Sequence, residues 1–246
     1  VRTDGSDSNS GLVNNAGGAF LTIGKAVNVV NTTLDLRGYT ATIQLGDGTY
    51  TVSSAIFLNP CDGAAVIQGN TGDRTAVVIK NASNDLFIVN GDGWQIQYVT
   101  LDMESGKNAV TLFVGKTIVG NINFIGYTGA KCFYMYGATT DIYITGSITI
   151  SGNFSKFIEV GNCASCYMDA AMTVSGPCTF TTFIESRNCA TIIAVASSLT
   201  TSSTMTGTRY SVATNGVLTA PSASTTYFPG NSAGTTETGG QYGGGY

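Results

Sequence analysis

Two phrases, FIEVGNCA at residues 157–164 and FIESRNCA at 183–190, recur at an interval of 26 residues, and each carries a glutamate at its third position. Stacked as neighbouring parallel strands, they bring Glu159 and Glu185 to about 5 Å from each other. Paired carboxylates at about 5–5.5 Å suit a retaining glycosidase, one serving as acid and the other as nucleophile. Glu159 and Glu185 are therefore the candidate catalytic pair. The same spacing arises wherever like residues form a ladder on a wall, and the ladder reading is the expectation here.

Sugar binding draws on a different set. The stretch VNGDGWQIQ holds Asp92 and the single tryptophan, Trp94, in a turn, and Asp102 follows the next strand. An exposed indole stacks on the apolar face of a pyranose while carboxylates accept its hydroxyl protons, so Asp92, Trp94 and Asp102 are candidate binding residues; the alternative is a tryptophan that closes the core at a corner. Tyr134 and Tyr136 in CFYMYG alternate along a strand and share one face, as a glycan platform or, in keeping with tyrosine's enrichment at interfaces, as a subunit contact.

Other chemistries are narrowed by what is missing. The chain has no histidine, which removes Ser-His-Asp and Cys-His catalysis and every His-ligated metal. Among the six cysteines, CASC (Cys163 and Cys166) is a lone CxxC without a partner pair, which does not make a zinc site. Cys163 and Cys189 are one repeat apart and within disulfide reach, while buried small hydrophobes are the default for all six. DGSDSNSG at 4–11 is rich in oxygen ligands, lacks the EF-hand spacing and its final Glu, and is explained by turn chemistry. No metal or cofactor is expected.

What positions these residues is a repeat. FIVNG, LFVGK, FYMYG, FIEVG and FIESR begin at 87, 112, 133, 157 and 183, and YVTLD, INFIG, ITISG, MTVSG and LTTSS run in step with them from 98, 122, 148, 172 and 199. Irregular periods in the low twenties, rich in β-branched and aromatic residues and punctuated by Gly and Asn, predict a parallel β-helix with at least two short strands per coil. Asn162 and Asn188 then form an asparagine ladder at a turn. Before the repeat, Ile23, Ala26, Val27 and Val30 have helical spacing with Thr22 as N-cap, which predicts a short amphipathic helix capping the first coil.

Three segments follow: residues 1–50 with the loop, helix and first coil; 51–206 as the β-helix; and 207–246, rich in Gly, Thr and Ser, where the coil repeat fades. In that last segment Tyr210, Val212, Val217, Leu218, Tyr227 and Phe228 are spaced anchors suited to lying on another surface, such as a neighbouring subunit. Aligned as above, one strand face carries Phe87, Leu112, Phe133, Phe157 and Phe183, and the other Ile88, Phe113, Tyr134, Ile158 and Ile184. Apolar residues on both faces suggest that the outer one packs on partner chains.

Charged residues make up only 11% of the chain, the net charge is −4, and the eleven Lys and Arg form no basic run. Nucleic acid is not an expected partner. No apolar stretch reaches the roughly 20 residues of a membrane span, so membrane insertion is not expected either.

VRTDGSDSNSGLVNNAGGAFLTIGKAVNVV resembles the opening of pectate-lyase-like right-handed β-helix proteins, and GTRYSVATNGVL followed by YFPGNSAGTTETGGQY resembles the C-terminal ends of phage and prophage tail-fibre and spike proteins. The resemblance implies an all-β, right-handed parallel β-helix with an N-terminal capping helix and an extended C-terminal tail. It also implies a homotrimeric virion appendage, on tail or head, assembled in a bacterial cytoplasm with other virion proteins and acting outside the cell on host-surface polysaccharide. The chain is short and lacks the long insertions of active tailspikes, so the expected role is non-catalytic attachment. A polysaccharide-cleaving tailspike, hydrolase or lyase, and a structural connector or head spike are the alternatives.

Overall fold

Runs of β-branched residues turn at Gly and Asn corners, and their backbone groups find partners one coil away rather than in a hairpin. A computed structural model describes residues 1–81, 83–104, 106–195, 198–201 and 204–244. They form a right-handed-type parallel β-solenoid of about 8 turns with a single helix near the N-terminus. All pairings between strands are parallel, in one 13-stranded and one 8-stranded sheet. No described helix is long and apolar enough to cross a membrane.

Each coil visits three faces. In the middle of the solenoid Thr140–Gly152 runs along the first two faces and Lys156–Gly161 along the third; the next coil repeats this with Ser165–Val174 and Cys178–Ser186. A column of positive φ angles at Tyr98 (57°), Asn121 (55°) and Gly146 (69°) bends the larger sheet between its two faces. The Asn121 Oδ1 atom accepts a hydrogen bond from the Ser147 amide at 3.1 Å. At Gly146 a Cβ would lie 2.7 Å from that same oxygen, so the position has room only for glycine.

A second corner, leading from the third face back to the first, is a stack of paired left-handed residues. Asn162 and Cys163 (φ 53° and 62°) lie under Asn188 and Cys189 (54° and 61°), and these under Thr214 and Asn215 (52° and 59°). The Cys163 amide donates to Asn188 O at 2.9 Å and the Cys189 amide to Thr214 O at 3.0 Å. Asparagine tolerates this conformation better than most residues, and the expected ladder is present, with Asn188 Nδ2 donating to Asn162 Oδ1 at 3.1 Å. A glutamine ladder that the sequence analysis did not single out runs along the first face: Gln68 Nε2 donates to Gln44 Oε1 at 3.0 Å and Gln97 Nε2 to Gln68 Oε1 at 2.9 Å.

The interior is filled by aromatic and aliphatic ladders. Phe124, Phe133, Phe157 and Phe183 are buried in succession, with ring centroids 5.2, 5.6 and 5.2 Å apart, and Phe228 continues the column 6.5 Å beyond Phe183. At the N-terminal end α1 spans Ile23–Thr32, buries Ile23, Ala26, Val27 and Val30, and is capped by Thr22, whose side chain accepts from the Lys25 amide. The Asp7 carboxylate ties the cap down by accepting from the amides of Leu21 and Thr22 at 3.0 and 2.9 Å and from the Thr22 hydroxyl at 2.7 Å.

The structure corrects several expectations of detail. Residues 207–244 stay on their own solenoid: Met205–Val212 pairs with Cys178–Ser186, Val217–Ala220 with Thr191–Ala194, and Gln241–Gly244 with Val217–Ala220. The spaced anchors Tyr210, Val212, Leu218 and Phe228 are therefore core residues, because each fills the interior beneath the preceding coil. The second repeat series is in register from Ile122 through Ile148 and Met172 to Leu199, whereas Tyr98 is one place off. Ser202 and Ser203 of LTTSS lie outside the described residues.

Cys132, Cys166 and Cys178 are buried as expected, but Cys163 and Cys189 are exposed, because the left-handed corner turns them outward. The phenylalanine column predicts the cost of interrupting it. Phe157→Ala should destabilise the protein by about 3–5 kcal/mol. Thermal or denaturant unfolding measured against the parent chain checks this, and a loss below about 1 kcal/mol would contradict the packing described.

Candidate functional site

The third face decides where the candidate residues point. Backbone pairing aligns Phe87, Val110, Phe133, Ile158, Ile184 and Tyr210 as one row, and Ile88, Thr111, Tyr134, Glu159, Glu185 and Ser211 as the next. The first row is buried in the core; in the second Ile88, Tyr134, Glu185 and Ser211 are partly exposed, while Thr111 and Glu159 are covered by their neighbours. This corrects the face assignment made from the repeat. LFVGK is displaced by two residues relative to FYMYG, and Phe157 and Ile158 both point inward where the chain rounds the corner into the third face. The outer face is consequently not a continuous apolar stripe: Phe57, Phe113, Val114 and Tyr136 are exposed on its first half, and charges occupy its second.

Glu159 and Glu185 are adjacent in this outer row, as their shared phrase predicts. Their surroundings are cationic. Lys131 Nζ lies 2.9 Å from Glu159 Oε2, Lys156 Nζ lies 2.8 Å from both Glu159 Oε2 and Glu185 Oε2, and Arg187 donates to Glu159 Oε1 while its Nε sits 3.4 Å from Glu185. Glu159 is only 2% exposed and is the one carboxylate in the buried set among the described residues. Burial alone would push its pKa up, but the hydrogen bonds and charges of Lys156 and Lys131 outweigh this and hold the carboxyl below its ordinary value. A glycosidase acid must carry its proton near neutral pH and reach the leaving group. Glu159 is ionised and covered, so its local geometry is that of a structural ion cluster.

Beside the cluster Tyr134 and Tyr136 stack, with ring centroids 5.8 Å apart and planes 19° from parallel. Lys131 Nζ sits 4.0 Å from the Tyr134 ring centroid, a cation–π contact that joins the tyrosines to the ion network. Burial, followed by the nearby Glu159 charge, raises the Tyr134 pKa and keeps the hydroxyl protonated. Tyr136 is 38% exposed and offers its ring to solvent.

The other sugar-binding candidates are not brought here. Trp94 is 1% exposed, and its indole N–H donates to Asn59 O at 2.6 Å. Of the two readings of Trp94, the structure has the core-closing one and not the exposed indole: in its strand, Trp94–Gln97, burial alternates and Trp94 takes an inward position. Asp92 Oδ1 accepts from the Lys116 amide at 2.6 Å and fastens a corner. Asp102, on the second face, lies 3.5 Å from Lys80 through one oxygen, while its other oxygen is buried without a hydrogen bond. These three residues do not form a site together.

A second tyrosine pair, absent from the candidates above, lies on the first face. Tyr143 and Tyr167 are register partners, 5.6 Å apart between centroids and tilted by 38°, and Lys116 Nζ is 4.3 Å from the Tyr143 centroid. With Asp141, Ser165, Thr191 and Ile193 they line a groove of about 270 Å³. Its combination of ring faces, one carboxylate and hydroxyls matches the chemistry of a pyranose, which presents both C–H and O–H surfaces. The signal was present in the recurrence of tyrosine 24 residues apart in DIYIT and SCYMD, but that series was not aligned.

Comparison with known proteins finds no match: no family model, no curated protein and no solved structure aligns with this chain.

The ion cluster predicts a pH-dependent contribution to stability. Because the folded-state pKa of Glu159 is depressed, its contribution is complete above the unfolded-state value and disappears as pH falls through the folded one. Glu159→Gln should cost about 1–3 kcal/mol at neutral pH, between the values for exposed and buried pairs. Denaturant titrations of both proteins at successively lower pH should show their stabilities converging in acid; a constant difference would remove the cluster from the explanation.

Proposed function

We propose that this chain is a spike or fibre protein of a phage or phage-like particle that attaches to host-surface polysaccharide without cleaving it, and that it works as a homotrimer. The particle assignment and the trimer rest on the likeness of the two chain ends to such appendages. The observation that carries the glycan assignment is the Tyr143–Tyr167 groove with Asp141, Ser165 and Thr191 along its wall. The Tyr134–Tyr136 stack supplies a second aromatic surface on another face. Two shallow surfaces of this kind bind weakly one at a time, and three copies of the chain multiply them through avidity.

The non-catalytic part of the reading is supported by the state of the paired glutamates. Both carboxylates are engaged by Lys156 and Arg187, and Glu159 also by Lys131. Neither is left as an isolated acid facing a groove.

Purified protein incubated with capsular or O-antigen polysaccharide from candidate hosts should retain glycan and release no new reducing ends. Tyr143→Ala should weaken retention about tenfold, in line with the loss of roughly 1–3 kcal/mol on removing a stacking aromatic. New reducing ends would overturn the non-catalytic reading, and full retention by the Tyr143→Ala variant would move binding away from the groove. Light scattering should give three times the 25.4 kDa chain mass; a monomer would remove the trimer from the proposal.

A further inference from the structure

We infer that Cys163 and Cys189 are an oxidisable dithiol that closes to a disulfide between successive coils when the protein meets a small-molecule disulfide. They occupy the same place in consecutive left-handed corners, with φ angles of 62° and 61°. Because Cys163 N donates to Asn188 O and Cys189 N to Thr214 O, these corners stack in backbone register. Register puts their Cα atoms at about the inter-strand spacing of 4.8 Å, inside the range of about 4.4–6.8 Å that a disulfide spans. The residue before each cysteine shows that matching side chains at this corner meet: Asn162 and Asn188 are hydrogen-bonded at 3.1 Å through their side chains. The dithiol is also reachable, since both cysteines are exposed.

The remaining thiols are set apart by their surroundings. Cys132, Cys166 and Cys178 are buried and Cys61 is partly covered. Burial pushes all four of these thiols up, away from the thiolate form that attacks a disulfide. Selectivity thus follows from the fold: two thiols at a solvent-facing corner, four withdrawn from it.

The exchange proceeds in two displacements. One of the two thiolates attacks the reagent disulfide, forms a mixed disulfide and releases one reagent thiolate. The second cysteine thiolate then attacks the protein sulfur of that mixed disulfide, forms the Cys163–Cys189 bond and releases the other. Two protein thiols are oxidised, one reagent disulfide is reduced to two thiols, and the protons lost by the cysteines are taken up by solvent or the released thiolates.

Oxidised glutathione is the probe, with intact-protein mass, thiol count and peptide mapping as readouts. The parent chain should lose two thiols, stay monomeric in covalent mass and keep no glutathione, with the new bond mapping to Cys163 and Cys189. The single variants Cys163→Ser and Cys189→Ser should each stop at the mixed disulfide and retain one glutathione. Oxidation should raise the parent's melting temperature by roughly 5–10 °C, reversibly on reduction, and leave the variants unmoved. Glutathione held on both cysteines of the parent, a disulfide-linked dimer, or no reaction at either cysteine would overturn the inference.

Discussion

Every feature described above depends on one constraint, the in-register parallel hydrogen bonding between successive coils. A strand of a solenoid has no parallel partner within its own coil, so its N–H and C=O groups are satisfied by the coils above and below. Once that register is set, equivalent residues lie about 4.8 Å apart along the axis, and each side chain has a nearest neighbour of its own row. Favourable identities are multiplied by this arrangement: the Asn162–Asn188 pair, the Gln44–Gln68–Gln97 series and the phenylalanine column each reuse one good contact. Unfavourable ones are multiplied equally.

Charge shows the unfavourable side. Glu159 stands over Glu185, and Lys131 is the register partner of Lys156, so each pair alone would bring like charges together. The protein offsets this by placing the two ladders next to each other. Lys156 bridges both glutamates, Lys131 and Arg187 complete the shell of Glu159, and the two carboxylates face three cations. A laddered carboxylate pair thus arises from stacking, and the same stacking assembles the cations that surround it and hold the Glu159 carboxyl below its ordinary value. Proximity of two acids is not by itself a sign of acid–base chemistry; what distinguishes the cases is whether something lifts one pKa, and here the neighbours lower it.

Legibility in the sequence followed the same physics. The period, the helix with its Thr22 cap, the asparagine ladder and the Glu159–Glu185 pairing could all be read, because each is a local pattern repeated or periodic in the chain. The repeat blurred where local geometry changes within a coil. LFVGK aligned two residues out because Leu112 resembles the phenylalanines of the other phrases while its pairing partner is Met135. Phe157 and Ile158 were placed on opposite faces by strict alternation, which fails at a corner. Trp94 had two readings for a related reason: a Gly-Asp-Gly turn signals exposure for its own residues, but the strand begins at Trp94 itself, which leaves the core-closing reading. The C-terminal segment lost its apparent repeat through low hydrophobic content, although a coil needs only a few inward anchors when a finished coil already lies beneath it.

Laddering also accounts for the scarcity of charge and for what the outer wall presents. Any exposed charge in a solenoid row faces its counterpart one coil away at a distance where repulsion is barely screened, since the Debye length is about 8 Å in physiological salt. Hydroxyls, amides and phenols carry no such penalty and donate and accept along the row. A chain with only 11% charged residues is therefore a consequence of the architecture before it is a mark of function. The same restriction shapes recognition: a wall of this kind holds a ligand through ring faces and neutral hydrogen bonds repeated at a fixed spacing. Tyr143 over Tyr167, with Ser165, Thr191 and Asp141 beside them, is such an arrangement, and it is the physical ground for proposing a repetitive, hydroxyl-rich polymer as the ligand.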